Sequence, residues 1–145
     1  MPRDLSFDLH ALTARLDRSA DRILRAEHGV SFRRFLTLLI VGESGSTTQR
    51  ALARAVGVSE PSVSRMSGVL ANAGLLDVQP DPAGGNRRRV TLTPAGKELV
   101  DQCRDLLERR FTALVERSGV PYVEYARHTR LLSAALDAAD REAHR

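Results

Sequence analysis

The chain has 145 residues, 42% of them hydrophobic, which is enough for one ordinary globular core and excludes extended disorder as its main character. Its formal net charge is +4, and 21 of its 22 basic side chains are arginine, Lys97 being the only lysine, a balance that suits a polyanionic partner. The lone cysteine, Cys103, excludes an intramolecular disulfide and a CxxC metal knuckle, and the longest apolar run, residues 35–42, is much too short to span a bilayer.

With no apolar leader before a cleavage site, the expectation is a soluble protein of a reducing cytoplasm, without membrane contact. Leu5, Leu9, Leu12, Leu16 and Ile23 recur at steps of three, four and seven, which predicts a helix to about Glu27, ended by Gly29. Ser31 is placed to cap a shorter, largely buried helix over 32–41, closed by the turn Gly42-Glu43-Ser44-Gly45-Ser46. That turn lacks the final glycine of a nucleophile elbow and the lysine of a phosphate-binding loop, so it carries no catalytic reading.

The next helix begins at Ser46, as a capping box with Gln49, or at Thr48 as the cap itself; Leu52, Ala53 and Val56 form its apolar side and Gly57 stops it. Only Val58 intervenes before Ser59, a second N-cap, with Pro61 in the first turn where its missing N–H costs nothing. Residues 48–74 therefore read as helix, tight turn, helix. The alternating stretches 75–81 and 89–93, joined by the turn-rich tip Pro82 to Asn86, predict a two-stranded hairpin, with Pro80 tolerable on an edge strand. Thr93 caps a long helix opened by Pro94, the residues 118–121 break it, and a last helix runs to about Asp140 with Val123, Leu132, Leu136 and Ala139 facing inward.

At about 100° per residue, Val63, Met66, Leu70 and Ala73 share one side of the helix that starts at Ser59, while Pro61, Ser64, Arg65 and Gly68 share the other. A small, polar, basic face is what a helix entering the major groove of DNA requires, since Ser and Arg bond phosphates or base edges where bulky apolar groups would obstruct. Arg65 suits either a bidentate grip on guanine or a phosphate clamp. A solvent-facing helix shows the same polarity; the conjunction with the following hairpin favours DNA. Residues 46–93 carry arginines at 50, 54, 65, 87, 88 and 89 against Glu60, Asp77 and Asp81, and Arg87, Arg88 and Arg89 lie on a hairpin able to reach a minor groove or backbone.

Two stretches, TQRALARAVGVSEPSVSRMSGVLANAGLL at 48–76 and VTLTPAGKEL at 90–99, resemble the MarR family of bacterial transcriptional regulators, and the resemblance covers essentially the whole chain. It implies a mainly α fold with a small β-hairpin wing: one domain over 1–145, with a winged helix-turn-helix lobe at about 46–93 and dimerisation helices at about 5–28 and 94–141. It further implies a homodimeric repressor on double-stranded DNA with a palindromic operator, its half-sites about one DNA turn, roughly 34 Å, apart. By position, Pro61, Ser62, Ser64 and Arg65 match the family's reading-helix contacts. Glu60 either accepts from a cytosine N4 or, as the stronger reading, favours the helix dipole. The wing departs from the family pattern of Asp closely followed by Arg: the tip positions hold Gly84, Gly85 and Asn86. Either Asn86-Arg87-Arg88 replaces the pattern in a shifted loop or the basic charge has moved down the strand, and Arg87, Arg88 and Arg89 are all carried as DNA contacts.

Family members often bind small aromatic or phenolic anions, and His28, Phe32 and Phe35, with Arg33 and Arg34, are the matching groups here. No cofactor or metal is expected: His10 and His28 share a helix face but lie five turns, about 27 Å, apart. Cys103 fits the apolar stripe of Leu99, Leu106 and Leu107 as a buried thiol. The chain offers no nucleophile–base pair, so the alternative to a regulator is a winged helix turned protein-interaction module, its hairpin on an acidic partner.

Overall fold

The computed structural model describes residues 4–85 and 87–145. The elements are α1 (Leu5–His28), α2 (Phe32–Ser44), β1 (Thr47–Thr48), α3 (Gln49–Val56), α4 (Glu60–Asn72), β2 (Leu76–Pro80), β3 (Arg88–Leu92), α5 (Pro94–Ser118) and α6 (Tyr122–Ala143). They divide into two compact units, one ending at Asp105 and the other spanning Leu106–Arg145.

In the first unit three helices begin where a side chain satisfies an orphan N–H. Ser31 accepts from Arg34 N (3.1 Å), Thr48 from Ala51 N (3.1 Å) and Ser59 from Ser62 N (3.2 Å). Thr48, and not Ser46, is thus the cap of α3. Gly29 and Gly57 end α1 and α3 in the left-handed region, at φ 65° and 78°, each returning its N–H to a carbonyl four residues back. The α1–α2 corner is held by Asp21, whose carboxylate accepts from Phe32 N (2.9 Å) and from Arg25 Nε (2.8 Å). Those two bonds, the backbone one first, hold the Asp21 carboxyl below its ordinary value. The second helix runs three residues past Val41, taking Gly42, Glu43 and Ser44 into its last turn before Gly45 caps it at φ 72°.

The sheet is antiparallel in the order β1-β3-β2, with Val78 opposite Val90 and Pro80 opposite Arg88. The edge position of β2 is what lets Pro80 close it without losing a ladder bond. Strand β1 lies outside the sequence expectation: its two residues pair Thr47 with Val90 and Thr48 with Arg89, so the third strand arises from a partner some forty residues away. Helix α2 packs on α1, α3 and β3, and α4 on α3 and β2. Leu24, Leu38, Val41, Leu52, Val63 and Val90 are completely buried in this unit, and Cys103 shares their full burial, which pushes its thiol up from the ordinary value.

Thr93 joins three elements. Its hydroxyl donates to Gly74 O (2.6 Å), just past α4, and accepts from Gly96 N (3.0 Å) in the first turn of α5, while its N–H donates to Leu75 O (3.2 Å). The Thr-Pro-Ala-Gly run therefore caps α5 and ties it to the end of α4.

In the second unit, Ser118 and Gly119, the latter at φ 79°, turn the chain from α5 into α6. The Tyr122 hydroxyl donates to the Glu108 carboxylate, a bond that pushes the phenol up from its ordinary value. The expectation of an inward α6 face is not met within one chain: Val123 is 79% exposed, Leu132 and Leu136 63%, and Ala139 is exposed too. Periodicity identified the stripe correctly, but among the described residues it stays exposed.

Candidate nucleic-acid interface

Helix α4 buries Val63, Ser67 and Leu70 and leaves Pro61, Ser64, Arg65 and Gly68 exposed. Met66, expected inward, is half-buried at the flank, and the position it vacates is taken by Ser67, a polar residue that the apolar pattern could not flag. Ser62 is half-buried and central to a small network: its Oγ accepts from the Ser59 hydroxyl (2.9 Å) and from Arg65 Nη2 (3.3 Å). With both acceptances used, the Ser62 hydroxyl keeps its own proton for an acceptor such as a phosphate or base oxygen. Arg65 is thereby tethered one turn along the exposed face.

Glu60, at the first turn of α4, has a partner that sequence reasoning missed. Its carboxylate lies 3.4 Å from Arg50 Nε of α3, both side chains being exposed, so the pair bridges the turn of the helix-turn-helix. An ion pair reaching across a turn from one helix to the next leaves no periodic trace.

The three wing arginines are not equivalent. Arg89 is drawn back to the body of the lobe: its Nη1 donates to Ser46 Oγ (2.8 Å) and its Nε lies 3.8 Å from Asp81 Oδ1. The Asp81 side chain is only 6% exposed against 42% for Arg89. The same carboxylate accepts from Ala83 N (3.1 Å), and the Asp81 backbone N–H donates to Arg87 O (2.9 Å), closing the wing below its tip. An acidic residue does partner a wing arginine, then, but from the end of β2, just below the tip. Arg87 and Arg88 instead line a recess that they share with Thr48, Gln49, Arg50 and Glu60. Asn86 lies outside the described residues.

The group expected to meet a small aromatic ligand divides by burial. Phe35 belongs to the core, Phe32 and His28 are half-buried, and the two phenyl rings meet at 6.2 Å between centroids. Among the described residues no cluster of three or more His, Cys, Asp or Glu could hold a metal ion, and no helix is long and apolar enough to cross a membrane.

Known proteins share this fold. A model of the MarR family matches residues 28–86. An uncharacterized HTH-type transcriptional regulator of Mycobacterium leprae, ML2140, is 33% identical over 113 residues, 78% of this chain and 76% of the relative. Wild type MarR of E. coli in its apo form superimposes with a TM-score of 0.81 at 21% identity, covering 94% of this chain and 98% of the other. A mutant of that E. coli protein complexed with operator DNA gives 0.73 at 21% identity, over 91% and 93%. NadR in complex with 4-hydroxyphenylacetate gives 0.71 at 20% identity, over 96% and 94%. The outward basic helix, the wing beside it and these likenesses lead to one conclusion: the chain belongs to the MarR family of winged helix-turn-helix, DNA-binding transcriptional regulators and is not an enzyme.

Proposed function

We propose that the protein is a homodimeric repressor that binds a palindromic operator, reading bases with α4 and holding backbone with the wing. The observation that carries this is the pairing of the Ser62-Ser64-Arg65 face on α4 with a wing whose Arg87 and Arg88 remain exposed. Pro61 gives α4 a small leading edge, Ser62, Ser64 and Arg65 read base edges, and Arg87 and Arg88 neutralise phosphates and displace counterions. Arg89 sets the direction of the wing, and Asn86 is a further contact of this reading.

The dimer rests on apolar surface. Leu5 and Phe7 of α1 are exposed, as are Val123, Leu131, Leu132 and Leu136 of α6, and a second copy would cover these stripes by two-fold symmetry. Two reading helices then meet successive major grooves about 34 Å apart. Repression, and release by a small aromatic or phenolic effector, are the finer parts of the reading. Support for the first is that MarR is described as a multiple antibiotic resistance repressor. For the second it is the Phe32–Phe35 ring pair and the phenolic ligand held by NadR. Because Phe35 is buried, such a ligand would meet His28 and Phe32 first.

Selection from random-sequence duplexes tests the reading. The expected product is an inverted repeat with half-sites one helical turn apart, bound by a species that sediments as a dimer and that Leu132→Glu with Leu136→Glu converts to monomer. No enrichment, or enrichment of a single unrepeated site, would overturn it and favour the interaction-module alternative.

A further inference from the structure

We infer that a second phosphate-binding strip, formed by Arg33 and Arg34 at the start of α2, flanks the reading helix on the side away from the wing. The inference rests on the DNA-binding reading above and adds to it a contact with the other strand of the duplex. Position in the sequence groups Arg33 and Arg34 with the aromatic residues around His28. The fold separates them, placing both arginines with Ser31 in a groove that they share with Ser62, Arg65 and Met66 of α4.

The position of this groove on α4 follows from helical geometry. At about 100° per residue, Ser62, Arg65 and Met66 fall together on one flank, and Glu60, which borders the recess of Arg50, Arg87 and Arg88, falls roughly half a turn away. Pro61 and Gly68 lie on the exposed face between the two hollows. A helix with its side chains measures about 10–12 Å across and the major groove about 12 Å, so a helix seated there has a sugar-phosphate strand against each flank. On one flank the wing arginines meet a strand; on the other the cations available are Arg33, Arg34 and Arg65.

Charge and local order agree with that occupant. The groove is lined by three arginines and no carboxylate. Among the described residues neither Arg33 nor Arg34 has a side-chain hydrogen bond or ion pair, and both are exposed. The Ser31 cap on Arg34 N fixes the backbone of that first turn, so the two side chains leave from a set position.

Anisotropy titrations of the full chain against the selected operator and a scrambled duplex, repeated over a salt series, test the assignment. Arg33→Gln with Arg34→Gln is expected to weaken both duplexes by the same factor, about tenfold or more at moderate salt, and to lower the magnitude of the salt slope by about 3.6, two phosphates per protomer and so four per dimer at about 0.9 each. Arg33→Lys with Arg34→Lys keeps both charges and is expected to restore the slope, which separates charge from folding. Unchanged affinity and slope in the Gln variant of a protein that binds its operator would overturn this strip alone, as would a loss confined to the operator. Wild-type protein with no affinity for either duplex would overturn both the strip and the DNA-binding reading.

Discussion

The carbonyl oxygen of Leu75 lies so close over the backbone of Gly96 that a Cβ at residue 96 would overlap it. This contact presses the first turn of α5 onto the segment between α4 and β2, and with the Thr93 bonds it sets where α4 ends. Gly96→Ala forces backbone apart where no flexible side chain can yield, so it is expected to destabilise by about 2 kcal/mol or more. Gly68→Ala is its counterpart: a Cβ there meets nothing within 4 Å, and helix propensity alone predicts a gain of about 0.5–1 kcal/mol. Urea unfolding of both variants at one fixed protein concentration checks the opposite signs.

The unequal wing arginines predict unequal variants. Arg87→Ala and Arg88→Ala are each expected to reduce the magnitude of the salt slope of DNA binding by about 1.8, one phosphate per protomer at about 0.9 each, while leaving the melting temperature unchanged. Arg89→Ala removes the bond to Ser46 and leaves the buried Asp81 carboxylate without its cation, and Asp81→Ala also removes the turn bond to Ala83 N. Each is expected to destabilise by about 0.5–1.5 kcal/mol and to speed amide exchange in the hairpin. Arg89→Ala with native-like exchange would show that Arg89 belongs with its two neighbours.

Glu60 restrains Arg50 in the free protein, and a phosphate arriving at the wing-side recess competes for the same guanidinium. Glu60→Gln removes both the competitor and a repulsive charge, so affinity for scrambled duplex is expected to rise about three- to tenfold, with little change in folding stability because both partners are exposed. Filter binding at two salt concentrations measures it, and weaker binding in the Gln variant would instead mean that the carboxylate accepts a hydrogen bond from a base.

The lowered Asp21 carboxyl carries a pH signature. A depressed folded-state value stabilises the fold above the unfolded carboxylate value, near 3.9, and that contribution is lost as pH falls through the folded value. Wild type is therefore expected to exceed Asp21→Asn in urea midpoint by a constant margin from neutral pH down to about pH 4, with the margin closing below. The amide oxygen introduced by that substitution still accepts from Phe32 N, so any residual gap at low pH reports the geometry of that one bond.

Much of this molecule was legible because its signals are local. Ser31, Ser59 and Thr93 announce helix starts through bonds spanning three residues, and Gly29 and Gly57 announce ends through their own backbone conformation. The choice between Ser46 and Thr48 was not local: Thr48 wins because β1 pairs with β3, which places Ser46 beside Arg89 instead. The same distance hid the structural use of Arg89 and the Arg50–Glu60 bridge. For α6 the pattern located an apolar face correctly but said nothing of whether its cover comes from the same chain, and among the described residues that face is exposed. The groove that Arg33 and Arg34 share with α4 was hidden for a related reason, since neighbours in sequence on α2 face different surroundings.

The bond from Asp81 N to Arg87 O makes the outermost part of the wing a closed loop on a finished base. Its length is therefore a free variable: doubling a connecting loop adds only about 0.6 kcal/mol of closure entropy and leaves Arg88 and Arg89 in register with β2. A lineage of such proteins can lengthen or shorten its reach along DNA without retuning the body that carries it, and an engineer can graft a reporter at the same place.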